Sequence, residues 1–183
     1  MADRTQIAEL VRRAVDGDAR AFEGLARAFL RPAYAVALAI VGRPADAEDV
    51  AQEALMLMLE RIDTCHHPER FGRWLLQGVR NRARNRLAHR RLSDVPERAT
   101  TPEQAGDADL ERGAVRRQLL AALDLLGPVQ RQVVLLHDLE GWTHAEIADA
   151  LELSEVSSRQ HLFQARRVLR AALGDDDSAE DAP

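Results

Sequence analysis

The chain has 183 residues, 46% of them apolar, enough for one large or two small compact cores. Only seven residues are aromatic and Ala and Leu dominate; no stretch alternates apolar and polar for long enough to seed a sheet, so the class is read as all-α. The formal charge of −5 argues against a nucleic-acid binder as an average, but residues 93–111 hold six acids and one Arg and residues 174–183 hold five acids and no base, leaving the rest at +5.

All 25 basic residues are Arg, a choice that GC-rich codon usage would explain and that also suits phosphate and guanine contacts. Cys65, the single cysteine, excludes an internal disulfide. The first fifteen residues lack a signal-peptide core, and no run approaches the ~18 apolar residues that span a membrane. A cytoplasmic protein without membrane insertion is expected.

Residues 4–91 read as a series of helices, broken at Asp16-Gly17-Asp18, Arg31-Pro32, Gly42-Arg43-Pro44 and His67-Pro68. Within 45–53, Asp46, Asp49 and Glu53 recur at helical spacings, with Glu48 and Gln52 on a neighbouring face. Paired carboxylates can serve acid–base or metal chemistry. Here no second cluster accompanies them, and a docking surface or a solvated helix N-terminus is the better reading. Cys65-His66-His67 lacks a partner pair at zinc-like spacing and reads as a loop, so neither metal nor cofactor is expected.

Residues 70–91 carry eight Arg and no acid. Leu75, Val79, Ala83 and Leu87 form the inward stripe, and Arg73, Gln77, Arg80 and Arg84 project from it. Trp74, Asn81 and Asn85 share a third edge. An indole beside carboxamides and guanidiniums offers a single strand stacking, base-edge hydrogen bonds and phosphate neutralisation. The alternative keeps Trp74 in the core. Gly78 costs such a helix about 1 kcal/mol against Ala unless something must approach closely. Residues 92–112, with two prolines and few large apolar side chains, read as a flexible linker between a domain at 1–91 and another at 113–173.

In the second domain Thr143 and Glu146 make a T-x-x-E capping box for a helix burying Ile147, Ala150 and Leu151. A tight turn at 152–154 follows, with Ser154 placed to cap the next helix. That helix turns Ser158, Leu162, Ala165, Leu169 and Leu173 inward and Val156, Ser157, Gln160, Gln164 and Arg167 outward. Arg159, His161 and Arg166 stand on its flanks. A helix-turn-helix puts such a second helix into the major groove. A solvated surface helix is the alternative. Residues 174–183 have the composition of a disordered acidic tail.

The motifs AVDGDARAFEGLARAF, DAEDVAQEAL and FGRWLLQGVRN, then LLGPVQRQVVLLHDLEGWTHAEIADAL and LFQARRVLR, resemble in order and spacing the extracytoplasmic-function sigma factors of bacterial RNA polymerase. The resemblance covers about residues 6–91 and 113–173. It implies a non-enzymatic initiation factor whose partners are core polymerase, promoter DNA and an anti-sigma protein, monomeric when free. Asp46, Glu48, Asp49, Gln52 and Glu53 would grip the polymerase clamp. Arg73, Trp74, Gln77, Arg80, Asn81, Arg84 and Asn85 would act at the minus-ten element. Thr143, His144, Ser157, Arg159, Gln160, His161, Gln164, Arg166 and Arg167 would form the minus-thirty-five reader. The chain departs from the family at Glu152, where Gly is usual, so that turn must avoid a left-handed backbone or bear strain. Ser157-Ser158, His161 and Gln77-Gly78 are further departures. A stand-alone operator-binding regulator, dimeric on a palindromic site, is the first competitor, and a metal enzyme using the acidic helix and His66-His67 the second.

Overall fold

The computed structural model describes residues 4–92 and 107–174, and among them every regular element is helical. The first unit comprises α1 (Arg4–Val15), α2 (Ala19–Val41), α3 (Pro44–Glu60) and α4 (Phe71–Leu92). The second comprises α5 (Asp107–Asp124), α6 (Pro128–Val134), α7 (His144–Leu151) and α8 (Glu155–Leu173).

Local chemistry sets most of the boundaries. Gly17 takes φ +88°, and Asp18 caps α2 by accepting the Arg20 and Ala21 backbone N–H groups. The Arg13 guanidinium holds the Asp18 carboxyl below the usual carboxylate range, helped by those backbone bonds. Gly42, left-handed at φ +74°, ends α2, and Pro44 opens α3 at a position where its missing N–H costs nothing.

The break expected at Arg31-Pro32 does not occur, and α2 runs through Pro32 without interruption. A mid-helix proline costs about 3 kcal/mol. The cost is offset because Pro32 and the next turns, through Ala33, Val36, Leu38 and Val41, lie in the core between α3 and α4. The same helix overturns the expectation that no run is apolar enough to span a membrane. By length and composition α2 qualifies, with a window of mean hydropathy 1.4, and half of that window is buried inside the protein.

The inward stripe of α4 is Leu75, Leu76, Val79 and Ala83; Leu87, expected there, is only partly buried. The described part of α5 begins at Asp107, inside the stretch read as linker, and the remainder of that stretch from 93 to 106 lies outside the described residues. After α6 one π-helical turn, Leu135–Leu139, precedes the helix-turn-helix. Leu173, placed on the inward stripe of α8 by periodicity, is 38% exposed because the helix runs past its neighbours there.

The units were expected to be separate, yet they share a core. Trp142 of the second is 4% exposed and meets Phe29 edge-on at 6.4 Å, while Phe29 meets Phe71 at 5.1 Å. Gly72 permits this, since a Cβ there would stand 3.1 Å from the Phe29 ring and 3.6 Å from Trp142. Ion pairs Arg4–Asp149, Arg31–Glu140 and Arg73–Glu152 surround the contact. Burying a large ring stabilises by about 1.5–3 kcal/mol, against ~0–1 kcal/mol for an exposed ion pair. The aromatic contact therefore dominates the junction.

Candidate nucleic-acid interface

The helix-turn-helix is built as its sequence predicts. Thr143 Oγ1 accepts the Glu146 N–H, and the Glu146 carboxylate accepts the Thr143 N–H at 2.8 Å. Ser154 Oγ accepts the Ser157 N–H at 3.0 Å and starts α8. Ile147, Ala150 and Leu151 are buried, with Ala148 beside them. Glu152 does take the left-handed backbone, φ 60° and ψ 46°, alone among described non-glycine residues. Its carboxylate accepts from Arg73 Nη2 at 2.6 Å, a contact between the units.

Ser158, a hydroxyl on the inward stripe, is fully buried and paired at 2.9 Å with His144 Nδ1, which ties the start of α7 to α8. His144 stacks on His137 with centroids 4.7 Å apart. Burial lowers the His144 pKa, and His137 and Arg159 lower it further by repelling a charged ring. His137 in turn pairs with Asp138, which takes two hydrogen bonds from Arg166. Burial alone would raise the Asp138 pKa; the bonds from Arg166 and His137 outweigh it and bring it down.

The outer face of α8 differs from the reading by spacing at Ser157 and Gln164, both partly buried. Gln160 and Arg167 are exposed, and Val156 and Phe163 are each 69% exposed, whereas Gln164 is partly buried and accepts from Gln130 Nε2 at 3.0 Å. Phe163, absent from the sequence-based set, is exposed beside Arg159, Arg166 and Arg167. Its apolar character suggested nothing about its exposure. Arg159 pairs with Glu155 at 2.9 Å, and His161 is partly buried with Nδ1 unpartnered.

On α4, Asn81, Arg84 and Asn85 are exposed and Trp74 and Gln77 partly so; Trp74 rests against Phe71 at 5.7 Å. Trp74, Gln77 and Asn81 line one side of a groove of about 630 Å³. Cys65, His66, His67 and Met58 also line it, together with Glu152 of the second unit. Gly78 is explained by Met58, since a Cβ at Gly78 would come within 2.6 Å of Met58 Cε. Arg80 donates to the Ala150 carbonyl at 3.2 Å, and burial pulls its pKa down. Cys65 is buried, which pushes its thiol pKa up, and Sγ donates to the His67 carbonyl at 3.6 Å. Among the described residues no group of three or more His, Cys, Asp or Glu converges as a metal site.

The acidic set of α3 divides between two faces. Asp46 is engaged by Arg43, Arg86 and Arg90, Asp49 by Arg86, and Glu53 by Arg82, so this face is neutralised by α4 and its neighbour. Glu48 and Gln52 are exposed on the other side, where they line a groove of about 400 Å³ with Leu30, Tyr34 and Leu139.

The chain matches the family model for sigma-70 region 2 over residues 25–92 and that for sigma-70 region 4 over residues 116–169, about two thirds of its length together. It is 31% identical to the ECF RNA polymerase sigma factor BldN of Streptomyces coelicolor, across 96% of this chain and 69% of BldN. It is 31% identical to the RNA polymerase sigma factor CarQ of Myxococcus xanthus, across 87% and 93%. It spans 42% of a third relative, RfaY of Xanthomonas campestris pv. campestris, again at 31% identity. Among solved structures, CnrH bound to the cytosolic domain of CnrY aligns with a TM-score of 0.67 at 24% identity, over 93% of this chain and 99% of that one. RpoE bound to the anti-sigma factor NepR, from Bartonella quintana, aligns with a TM-score of 0.60 at 22% identity, over 85% and 98%. At these identities the structural likeness concerns the fold.

Proposed function

Because the chain belongs to the extracytoplasmic-function sigma factors of bacterial RNA polymerase, we propose that it binds core polymerase in the cytoplasm and brings it to its own set of promoters. What supports this reading is that one chain carries two surfaces whose chemistry suits nucleic acid. One is an exposed recognition face on α8, bearing Gln160 and Arg167. The other is a groove beside Trp74 and Asn81 on a helix without acids. The first suits duplex read from the major groove and the second suits unstacked bases.

In this reading α8 reads the upstream element, and Trp74, Gln77, Asn81 and Asn85 hold the opened minus-ten strand while Arg84 neutralises phosphate. Glu48 and Gln52, on the unpaired side of α3, meet the polymerase clamp. The bond-making chemistry belongs to the polymerase. Since Arg73 and Arg80 are held by the second unit, engagement of the minus-ten element separates α4 from α7. The reading includes an anti-sigma partner for this chain, as the neighbour RpoE is found in complex with the anti-sigma factor NepR.

The test is co-elution of the purified chain with core polymerase of a related bacterium, followed by transcription from a genomic library. Stoichiometric binding and a shared upstream motif among the start sites are expected. Absence of binding, with DNA affinity retained, would replace this reading with a stand-alone regulator.

A further inference from the structure

Ser158 and Arg166 stand on α8 two turns apart, about 12 Å along its axis. Both are held through one pair of histidines. The Ser158 hydroxyl, fully buried, meets His144 Nδ1 at 2.9 Å, and His144 stacks on His137 with ring centroids 4.7 Å apart. His137 Nδ1 meets Asp138 at 2.8 Å, and Asp138 accepts from Arg166 at 2.6 and 3.1 Å. We propose that the His137–His144 pair positions the recognition helix: while uncharged it sets the angle of α8 for sequence discrimination, and a proton taken up by the pair in acid releases it.

The contacts of α8 differ in what they fix. Leu162 and Ala165 seat the helix through apolar burial, which is non-directional. Hydrogen bonds are directional, and ties on one side at two points two turns apart oppose both tilt and rotation. A further tie, Gln130 to Gln164, comes from α6 and contains no titrating group. A recognition helix reads bases with its N-terminal residues, so the Ser158 tie acts where Val156 and Gln160 face outward.

Protonation acts on that tie directly. The buried Ser158 hydroxyl needs an acceptor, and the neutral His144 ring supplies one at Nδ1; an imidazolium has none to give. The charged groups that face the pair are Asp138 on the π-helical turn and Glu155, Arg159 and Arg166 on α8. From the first unit, Arg4 and Arg80 reach α7 in its last turn, at Asp149 and the Ala150 carbonyl. Burial first, then His137, Arg159 and Arg166 against Glu155, keep the His144 pKa below its ordinary value. A proton on His144 therefore sets it against arginines of the helix that it holds when neutral.

The consequence for promoter choice rests on the function proposed above, and the experiment separates the two. The full chain is compared with His144→Asn, whose amide holds Ser158 but takes up no proton, and with Ser158→Ala, which cuts the tie without adding bulk. Circular dichroism at pH 7.5 and pH 5 sets a temperature at which all three are folded. Without DNA, NMR then follows the His144 ring nitrogens and the α8 amides with pH. In the parent chain the amides of Ser158 and Gln160 are expected to move with the His144 ring at one midpoint, and in His144→Asn to stay in place. Each protein is next titrated with a 20-base-pair duplex selected by the parent chain at pH 7.5 and with a random duplex of the same length. The ratio of the two affinities is the readout, because added positive charge strengthens attachment to either phosphate backbone alike. For the parent the ratio is expected to fall about tenfold from pH 7.5 to pH 5, a usual size for coupling between two binding events. It should stay level in His144→Asn and be low at both pH values in Ser158→Ala. Amides of α8 indifferent to His144, or a ratio that falls alike in His144→Asn and the parent, would overturn the proposal. Amides that follow His144, with no preference between duplexes at any pH, would uphold the positioning and overturn the reading of DNA by α8.

Discussion

Arg73 on α4 and Glu152 in the turn of the helix-turn-helix are 79 residues apart in sequence and form a 2.6 Å ion pair. The pair ties the basic helix of the first unit to the left-handed turn of the second. It gives Glu152 a role in a position whose backbone favours glycine.

Glu152→Gly removes both the strain and the pair. A glycine in a left-handed cap is favoured by roughly 1 kcal/mol, and an exposed ion pair contributes at most about that much. Glu152→Gly is therefore expected to leave the thermal midpoint unchanged or higher while lengthening the average distance between spin labels at Arg84 and Ala145. Glu152→Gln, which keeps the backbone strain, should lower the midpoint. An equal fall for both variants would contradict this division.

Asp46 and Glu48 are two residues apart but differ in their surroundings. Asp46 is 15% exposed and meets three arginines, whereas Glu48 is exposed. Asp46→Ala removes contacts to three partly exposed arginines, of which Arg86 keeps Asp49, and should cost about 1 kcal/mol of stability in denaturant unfolding. Glu48→Arg should leave stability within about 0.5 kcal/mol and weaken co-elution with core polymerase. Equal polymerase binding by Glu48→Arg and the parent chain would move the docking face elsewhere.

Gly78→Ala gains up to about 1 kcal/mol of helix propensity and must displace the tip of Met58, a flexible side chain, into the groove beside Trp74. The expected result is little change in the thermal midpoint together with slower open-complex formation, read by permanganate footprinting. Loss of fold would instead show that Met58 cannot move.

On α8, Gln160→Ala and Phe163→Ala should change which upstream sequence is preferred, because both side chains are exposed on the outer face. Gln164→Ala, which removes the bond to Gln130, should lower stability by about 0.5–1.5 kcal/mol and leave the preference unchanged. Selection of binding sites from a random duplex pool measures both.

His144 has a lowered pKa in the folded protein, chiefly from burial and then from His137. A group with a depressed folded value gives stability that is complete above its unfolded pKa of 6.5 and declines as pH falls towards the folded value. The depressed Asp138 carboxyl follows the same rule below its ordinary 3.8, a separate and more acidic window. The thermal midpoint is expected to hold above about pH 7 and to fall from pH 6.5 to 5, with a shallower fall in His144→Gln. An identical slope in the variant would assign the loss to other groups.

The α-helical class, the capping box at Thr143 and Glu146, the cap at Ser154 and most of the inward stripes of α4 and α8, though not Leu87 and Leu173, were legible in the residues. Each depends on neighbours within about one turn, where side-chain spacing and backbone hydrogen bonding act locally. Five features depended on groups brought together from further along the chain. The core carries α2 through Pro32, and Met58 explains Gly78. Arginines of α4 neutralise one face of α3, Gln130 turns Gln164 inward, and Trp142 enters the aromatic cluster of Phe29 and Phe71. Periodicity shows which side of a helix is apolar, but not which partner covers it. Only the packed chain brings together groups 29 residues apart, as in Arg82 and Glu53, or 79 apart, as in Arg73 and Glu152, and so decides which polar side chains are engaged and which stay exposed.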